Sequence, residues 1–272
     1  MSRESIVQEK ITAYQPKGLI QSSRLFLALA GINHESTKNH VENVALLAEA
    51  VAISLKKDAK AAFFAGLLHD IAKITLPAPL FDGHNITPEE YAQIKKHAQD
   101  GFNALMKLHL FTSLCAGLHH NLYKSGYGVT MEDFPKNWSP ATIKKVLDIS
   151  MIISICDFIE AFTHRPTKIL DGSDKAPDLK SMLHAKYPDD IVTVDTALNL
   201  YPSTFMRDIT SKELNKQDIE QILTEHFKAE RTEVKVVVPV IGHESQFEGG
   251  ATVYGVPIVT ALVIGTIQRV SV

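Results

Sequence analysis

Residues 61–77 read AAFFAGLLHDIAKITLP. From Ala61 to His69 the residues are small or apolar, with no polar stripe at helical spacing, so the stretch forms a helix buried nearly all round. The run closes on the adjacent pair His69 and Asp70. A charged aspartate against an apolar run is costly unless it is paired, hydrogen-bonded or bound to a metal. Upstream, Val41, Val44, Ala48, Val51 and Leu55 recur at three- and four-residue steps and mark one buried helix face. Downstream, Thr87-Pro88-Glu89-Glu90 starts another helix, with Thr87 as N-cap, Pro88 in the first helical position and Glu90 closing a capping box. Its inward face reads Tyr91, Ile94, Ala98, Gly101, Phe102 and Leu105. Further helices are expected around Phe111 to His119, from Ala141 to Thr163, and over Ile219 to Phe227.

The chain has 272 residues, 45% hydrophobic and 22% charged, the profile of a soluble globular protein. This size accommodates one large domain, or one domain with a small appendage. A net charge of −3 provides no basic field for a nucleic acid polymer or an anionic membrane. Cys115 and Cys156 both sit in apolar runs and read as reduced core residues. The opening MSRESIVQEK lacks the apolar core of a signal peptide, and no uncharged apolar stretch reaches membrane-spanning length. These features predict a cytoplasmic protein that does not enter a membrane. DGSDKAPD, residues 171–178, reads as a surface loop. From about Thr232, VKVVVPVIG and TVYGVPIVTALVIGTIQRVSV are β-branched and broken by Gly and Pro, which suggests strands. The expected architecture is mainly α: a helical domain over 1–230, followed by a small β-rich C-terminal element over 231–272. The apolar strands, and the stretch Leu25 to Ala30, offer a scaffold or homodimer surface.

Chemistry is marked by where the histidines fall. Of 12 histidines, His40, His69, His97, His119 and His120 lie in helical stretches with core-facing periodicity. His97 follows Ile94 by three residues and precedes Gly101 by four, so a helix turns it inward. Asp157 sits inside a second apolar run, MIISICDFIEAF. Any one inward histidine is more often a hydrogen-bonded core residue than a ligand. Two aspartates in apolar runs beside several inward histidines are best reconciled by bound metal ions, and mixed imidazole and carboxylate donors suit iron, manganese, nickel or zinc. Lys73, three residues after Asp70, is placed to contact a phosphate or protonate a leaving oxygen.

In this order the residues resemble the HD superfamily of metal-dependent phosphohydrolases, and in detail its HD-GYP branch, the cyclic di-GMP phosphodiesterases. HDIAKITLP at 69–77 resembles the HDIGK segment of that branch, with Ala72 for Gly. ITPEEYAQIKKHAQDGFNAL at 86–105 resembles its helix with a KxHPxxG-like end. HHNLYKSGYG at 119–128 is similar to its HHE…GYP signature, and DFIEAFTHRP at 157–166 to its DxxDALTxxRP stretch. The motif core spans residues 39–168. The resemblance implies an all-helical bundle holding two divalent ions, usually iron or manganese. His40, His69, Asp70 and Asp157 would hold one ion; Asp70 would bridge to a second, held by His97, His119 and His120. It further implies Lys73 on the scissile phosphate, Arg165 and Lys168 facing the substrate's phosphate and base, and Tyr127 as a candidate substrate contact.

The sequence departs from that branch at Gly128, where its final Pro stands, and at Asn121, where its Glu follows the double His. Lys124 replaces the Asp-Gly before Ser in a loop one residue shorter. Ser36 occupies the position of a third-metal Glu, which predicts two ions rather than three. The implied activity is hydrolysis of cyclic di-GMP or a related cyclic dinucleotide to pGpG and GMP through a bridging hydroxide on the dinuclear site. Two alternatives remain: an HD-type hydrolase of another nucleotide or phosphate ester, and a non-catalytic nucleotide-binding signalling module.

Overall fold

Residues 62–68 of the apolar run form a fully buried stretch of helix. In a computed structural model, residues 2–15, 18–81, 86–124, 126–164, 178–209, 234–236 and 265–267 are described. The chain divides into two units, residues 1–211 and 212–272. The described helices of the first unit are α1 (Arg3–Tyr14), α2 (Ile20–Asn33), α3 (Glu35–Ser54), α4 (Ala59–Leu68), α5 (Pro88–Leu105), α6 (Leu110–Leu118), α7 (Pro140–His164), α8 (Leu179–Lys186) and α9 (Ile191–Ile209). Short 3-10 turns at Ile71–Thr75, Ala78–Phe81 and Met131–Asp133 link them. The unit is mainly helical, as the periodicity predicts.

Every residue of α4 from Ala62 to Leu68 is buried. Its start is fixed by Asp58, whose side chain accepts from the Ala61 N–H at 2.9 Å, a cap that satisfies one of the four free donors of a helix N-terminus. α4 lies against α3, and α3 packs in turn on α7 and α9. The α3–α4 approach requires Gly66: a Cβ there would meet Ala45 Cα at 2.9 Å. α3 therefore separates two hydrophobic clusters. One gathers Val44, Ala48, Val51, Leu114, Ile149 and Ile153. The other gathers Val7, Phe26, Val41, Phe63, Phe64 and Leu67. At about 1.5–3 kcal/mol for each large apolar side chain fully buried, these layers hold the ends of α4, α5 and α6 in register.

The capping box at Thr87 and Glu90 forms in full, and Ile94, His97, Ala98, Gly101, Phe102 and Leu105 face inward on α5. Tyr91 does not. It is 47% exposed, and Lys95, one turn on, lies 4.6 Å from its ring centroid. Tyr91 stands in the first turn of α5, where an amphipathic ring is satisfied by a neighbouring ammonium and water instead of the core. Cys115 and Cys156 are buried and unbridged. On α2, Leu25, Leu29 and Ile32 form an exposed apolar stripe. Among the described residues no helix is long and apolar enough to cross a membrane.

In the second unit, Val234–Val236 and Gly265–Ile267 pair antiparallel, Lys235 opposite Thr266. The rest of the expected β-rich element, the helix expected over Ile219 to Phe227, and nearly all of the 171–178 loop lie outside the described residues.

Candidate metal centre

Two helices end on histidine after nearly the same apolar sequence, α4 on Gly66-Leu67-Leu68-His69 and α6 on Gly117-Leu118-His119. In each, the imidazole turns back on the last turn: His69 Nδ1–H donates to Gly66 O at 2.7 Å and His119 Nδ1–H to Ala116 O at 2.6 Å. This satisfies a carbonyl left free at the helix C-terminus. His97, inside α5, donates likewise to Ile94 O at 2.5 Å. A carbonyl only accepts, so the proton sits on Nδ1 and the Nε2 lone pair of each ring faces the cavity between the helices. His40 on α3 reaches the same cavity, its Nδ1 held in a short hydrogen bond by the Glu160 carboxylate of α7.

The donors form two groups, with the ligand atoms of each within 4.8 Å of one another: His40, His69, Asp70 and Asp157 in one, and His97, His119 and His120 in the other. Asp70 lies between them. Its Oδ2 is 3.3 Å from both His40 Nε2 and His69 Nε2. Its Oδ1 is 3.2 Å from His97 Nε2 and 3.8 Å from His119 Nε2. Asp157 is similarly divided, Oδ1 at 3.1 Å from His40 Nε2 and Oδ2 at 3.9 Å from His120 Nε2. Lys73, 6% exposed, makes a close ion pair with Asp70 Oδ2.

This arrangement fits divalent cations. Asp70 Oδ1 is fully buried and accepts no hydrogen bond among the described residues. Its neighbour His97 Nε2 carries a lone pair and stands 3.4 Å from the lone pair of His119 Nε2. A buried oxygen and converging imidazole lone pairs repel one another unless a cation lies between them.

Charge differs between the groups. Burial disfavours the His40 cation, but the carboxylates of Glu160, Asp157 and Asp70 outweigh it and hold its pKa well above the ordinary range. His69 is likewise raised, Asp70 and Asp157 overcoming burial. Burial lowers His97 to about 4 and His120 to about 3, and it lowers His119 well below the ordinary value. For Asp70 burial acts upward, yet His69, Lys73 and His97 hold it well below the usual carboxylate range.

Tyr127 lies beside the second group, its ring 4.7 Å from that of His120 and tilted by 31°. Its loop departs from the GYP form for a visible reason. Gly128 has φ +114°, and a Cβ there would fall 2.0 Å from Gly117 O. Proline, confined to φ near −65°, cannot occupy this position. Asn121 donates to Val129 O at 2.7 Å and so braces the same loop. Arg165 and Lys168 lie outside the described residues.

The structure adds residues that the motif reading passed over. Glu160 follows Asp157 by three residues on one helix, a spacing that shares a face, and this was the available signal. Asn43 donates to Glu160 Oε1 at 3.0 Å, and Arg3 of α1 donates to Asn43 Oδ1 at 3.2 Å. Tyr123 Oη pairs with His120 Nδ1 at 3.2 Å. Nothing in the sequence signals that pairing.

The helices converge imidazoles and two shared carboxylates on one buried cavity, a donor set of the histidine–carboxylate kind that could hold cations. Residues 37–161 match the family model of the HD domain. Among solved structures, the chain is similar to the HD domain of the L. monocytogenes phosphodiesterase PgpH, with 22% identity over 74% of this chain and 94% of that one and a TM-score of 0.39. The same domain in complex with cyclic-di-AMP matches at 21% identity, with the same coverage and TM-score. No curated protein matches the sequence.

Proposed function

We propose that the chain is a metal-dependent phosphohydrolase that opens cyclic di-GMP or a related cyclic dinucleotide to linear pGpG and GMP. The observation that carries this reading is Asp70, whose two oxygens face two separate donor groups. His40, His69, Asp70 and Asp157 would hold one divalent ion, and His97, His119 and His120, with the second oxygen of Asp70, the other. Ions of this kind acidify a water molecule and neutralise charge on phosphoryl oxygens. Iron or manganese suits the mixed donor set.

The chain's own groups do the rest. The Nδ1 hydrogen bonds of His69, His97 and His119 fix each imidazole in one tautomer, with Nε2 free to bind. Lys73, locked on Asp70, places a buried positive charge where phosphoryl charge develops. Tyr127 offers a ring face beside His120 for a base or ribose. One observation favours the second reading, hydrolysis of a different phosphate ester: the GYG loop follows a backbone path that a GYP loop cannot adopt.

Product analysis tests the proposal. The protein is purified anaerobically, supplied with iron(II) or manganese(II), and incubated with cyclic di-GMP and cyclic di-AMP in parallel, with products separated by chromatography. A linear dinucleotide or mononucleotide that is absent with Asp70→Ala is the expected result. A protein holding two metals that releases no product from either nucleotide overturns the substrate and favours the other ester.

A further inference from the structure

Beyond Tyr123 the structure holds a cation for which the two donor groups have no use. Lys186, the last residue of α8, has its Nζ 3.8 Å from the ring centroid of Tyr123, 4.4 Å from that of Phe158 and 5.7 Å from that of Tyr187. The cage is firm. Tyr187 is tied to α7 through Ser154, by 2.9 Å to its Oγ and 3.1 Å to its carbonyl, and the Tyr123 and Tyr187 rings meet edge to face at 5.9 Å. The neighbouring Lys180 pairs with Asp195 at 3.2 Å. Lys186 has no ion pair or hydrogen bond among the described residues.

Its position relates it to the site. The ring beneath it belongs to Tyr123, whose hydroxyl holds His120. Burial pushes the ammonium's pKa down, while the Asp157 carboxylate acts in the opposite sense. Two lysines thus adjoin the donor groups: Lys73 is ion-paired with Asp70, and Lys186 rests on Phe158, the residue after Asp157, with no ion pair among the described residues. A half-buried ammonium held by aromatic faces gains more from an incoming anion than a hydrated one does.

We infer that Lys186, seated on Tyr123 and Phe158, is a second anion subsite, holding the phosphate of a diphosphodiester that is not being cleaved. The inference rests on the phosphodiesterase reading and narrows it to substrates with two phosphates. α8 lies beyond the residues matched by the HD domain, so the subsite is supplied by the surrounding chain. A lysine in a last helical turn also complements the helix dipole; that role moves stability and not substrate dependence.

Lys186→Met keeps the stem on the rings and removes the charge, and Lys186→Arg restores it. With manganese-loaded protein, Lys186→Met raises KM for cyclic di-GMP or cyclic di-AMP about tenfold, the loss of one charged contact. It leaves kcat/KM for bis(p-nitrophenyl) phosphate, which has one phosphate, within about twofold of wild type, and Lys186→Arg recovers most of the loss. Equal losses on both kinds of ester, or an unchanged KM, overturn the subsite. Calorimetric titration of metal-free protein with the same two nucleotides separates the two proposals. If loaded wild type cleaves nothing, the phosphodiesterase reading falls. The subsite then stands if Lys186→Met still weakens nucleotide binding about tenfold, and it falls if wild type does not bind or the variant binds equally well.

Discussion

The first donor group mixes histidines with aspartates and the second is all histidine, and only in the first does a histidine rest its far nitrogen on a carboxylate, His69 there resting on the Gly66 carbonyl. In the group of His40, His69, Asp70 and Asp157, His40 leans on a third carboxylate, Glu160, which Asn43 and Arg3 secure in turn. In the group of His97, His119 and His120, the far nitrogens meet two backbone carbonyls and a tyrosine hydroxyl, all neutral. The first group is therefore rich in negative charge and draws protons onto its imidazoles, whereas burial keeps the second neutral. A carboxylate behind an imidazole raises its basicity, and a carbonyl fixes its orientation with less effect on charge. The first group is thereby built for the tighter hold on a cation. The second depends on Asp70 for nearly all of its negative charge.

That dependence sets the largest expected effect. On the proposed function, Asp70→Ala removes an oxygen from each group, so both ions should be lost and hydrolysis should fall by about 10³-fold or more, the scale of a missing principal electrostatic element. Metal content by elemental analysis checks it, and full loading in that variant would break the idea of a shared carboxylate. Lys73→Met keeps both ions and lowers kcat by about 10²-fold; loss of metal alongside kcat would make Lys73 a structural partner of Asp70 instead. Glu160→Gln keeps the shape behind His40 and weakens its basicity. It should lower affinity at the first group by about 10- to 100-fold and spare the second. Competition with a chelating dye resolves the two binding steps, and equal weakening of both would erase the contrast drawn above.

The smallest effect concerns pH in the metal-free protein. His97 titrates near 4 in the fold and near 6.5 unfolded, so its contribution is complete above about pH 6.5 and declines as pH falls toward 4. His40 and His69 are raised, so theirs is complete below about 6.5 and is lost as pH rises through the folded values. Thermal melts in chelator should show His97→Gln flattening the acid limb and His40→Gln the alkaline one. Both variants flattening the same limb would show that the groups titrate as one.

Much of the site is legible in the chain because its ligands sit at helix positions that local pattern places. His69 and His119 end apolar runs, His97 lies on the inward face of a strongly capped helix, and Asp157 is held within an apolar stretch. Tyr91 shows the limit of that reading: periodicity puts it on the inward face, yet it stands exposed in the first turn of α5 with Lys95 over its ring. Glu160 was readable from its spacing to Asp157, although its task, holding His40 from another helix, was not.

By itself the sequence determined the helical class, the start of α5 at Thr87, the burial of α4, and which histidines and aspartates turn inward. These are properties of neighbours within a few residues, where propensity, capping and hydrophobic period act directly. Only the tertiary structure decided that Asp70 stands between two groups, that Gly128 takes a backbone path closed to proline, and that Lys186 rests on Tyr123. Each of these joins elements distant along the chain, and their meeting is set by how the helices pack around α4, with Gly66 letting α3 approach as closely as it does.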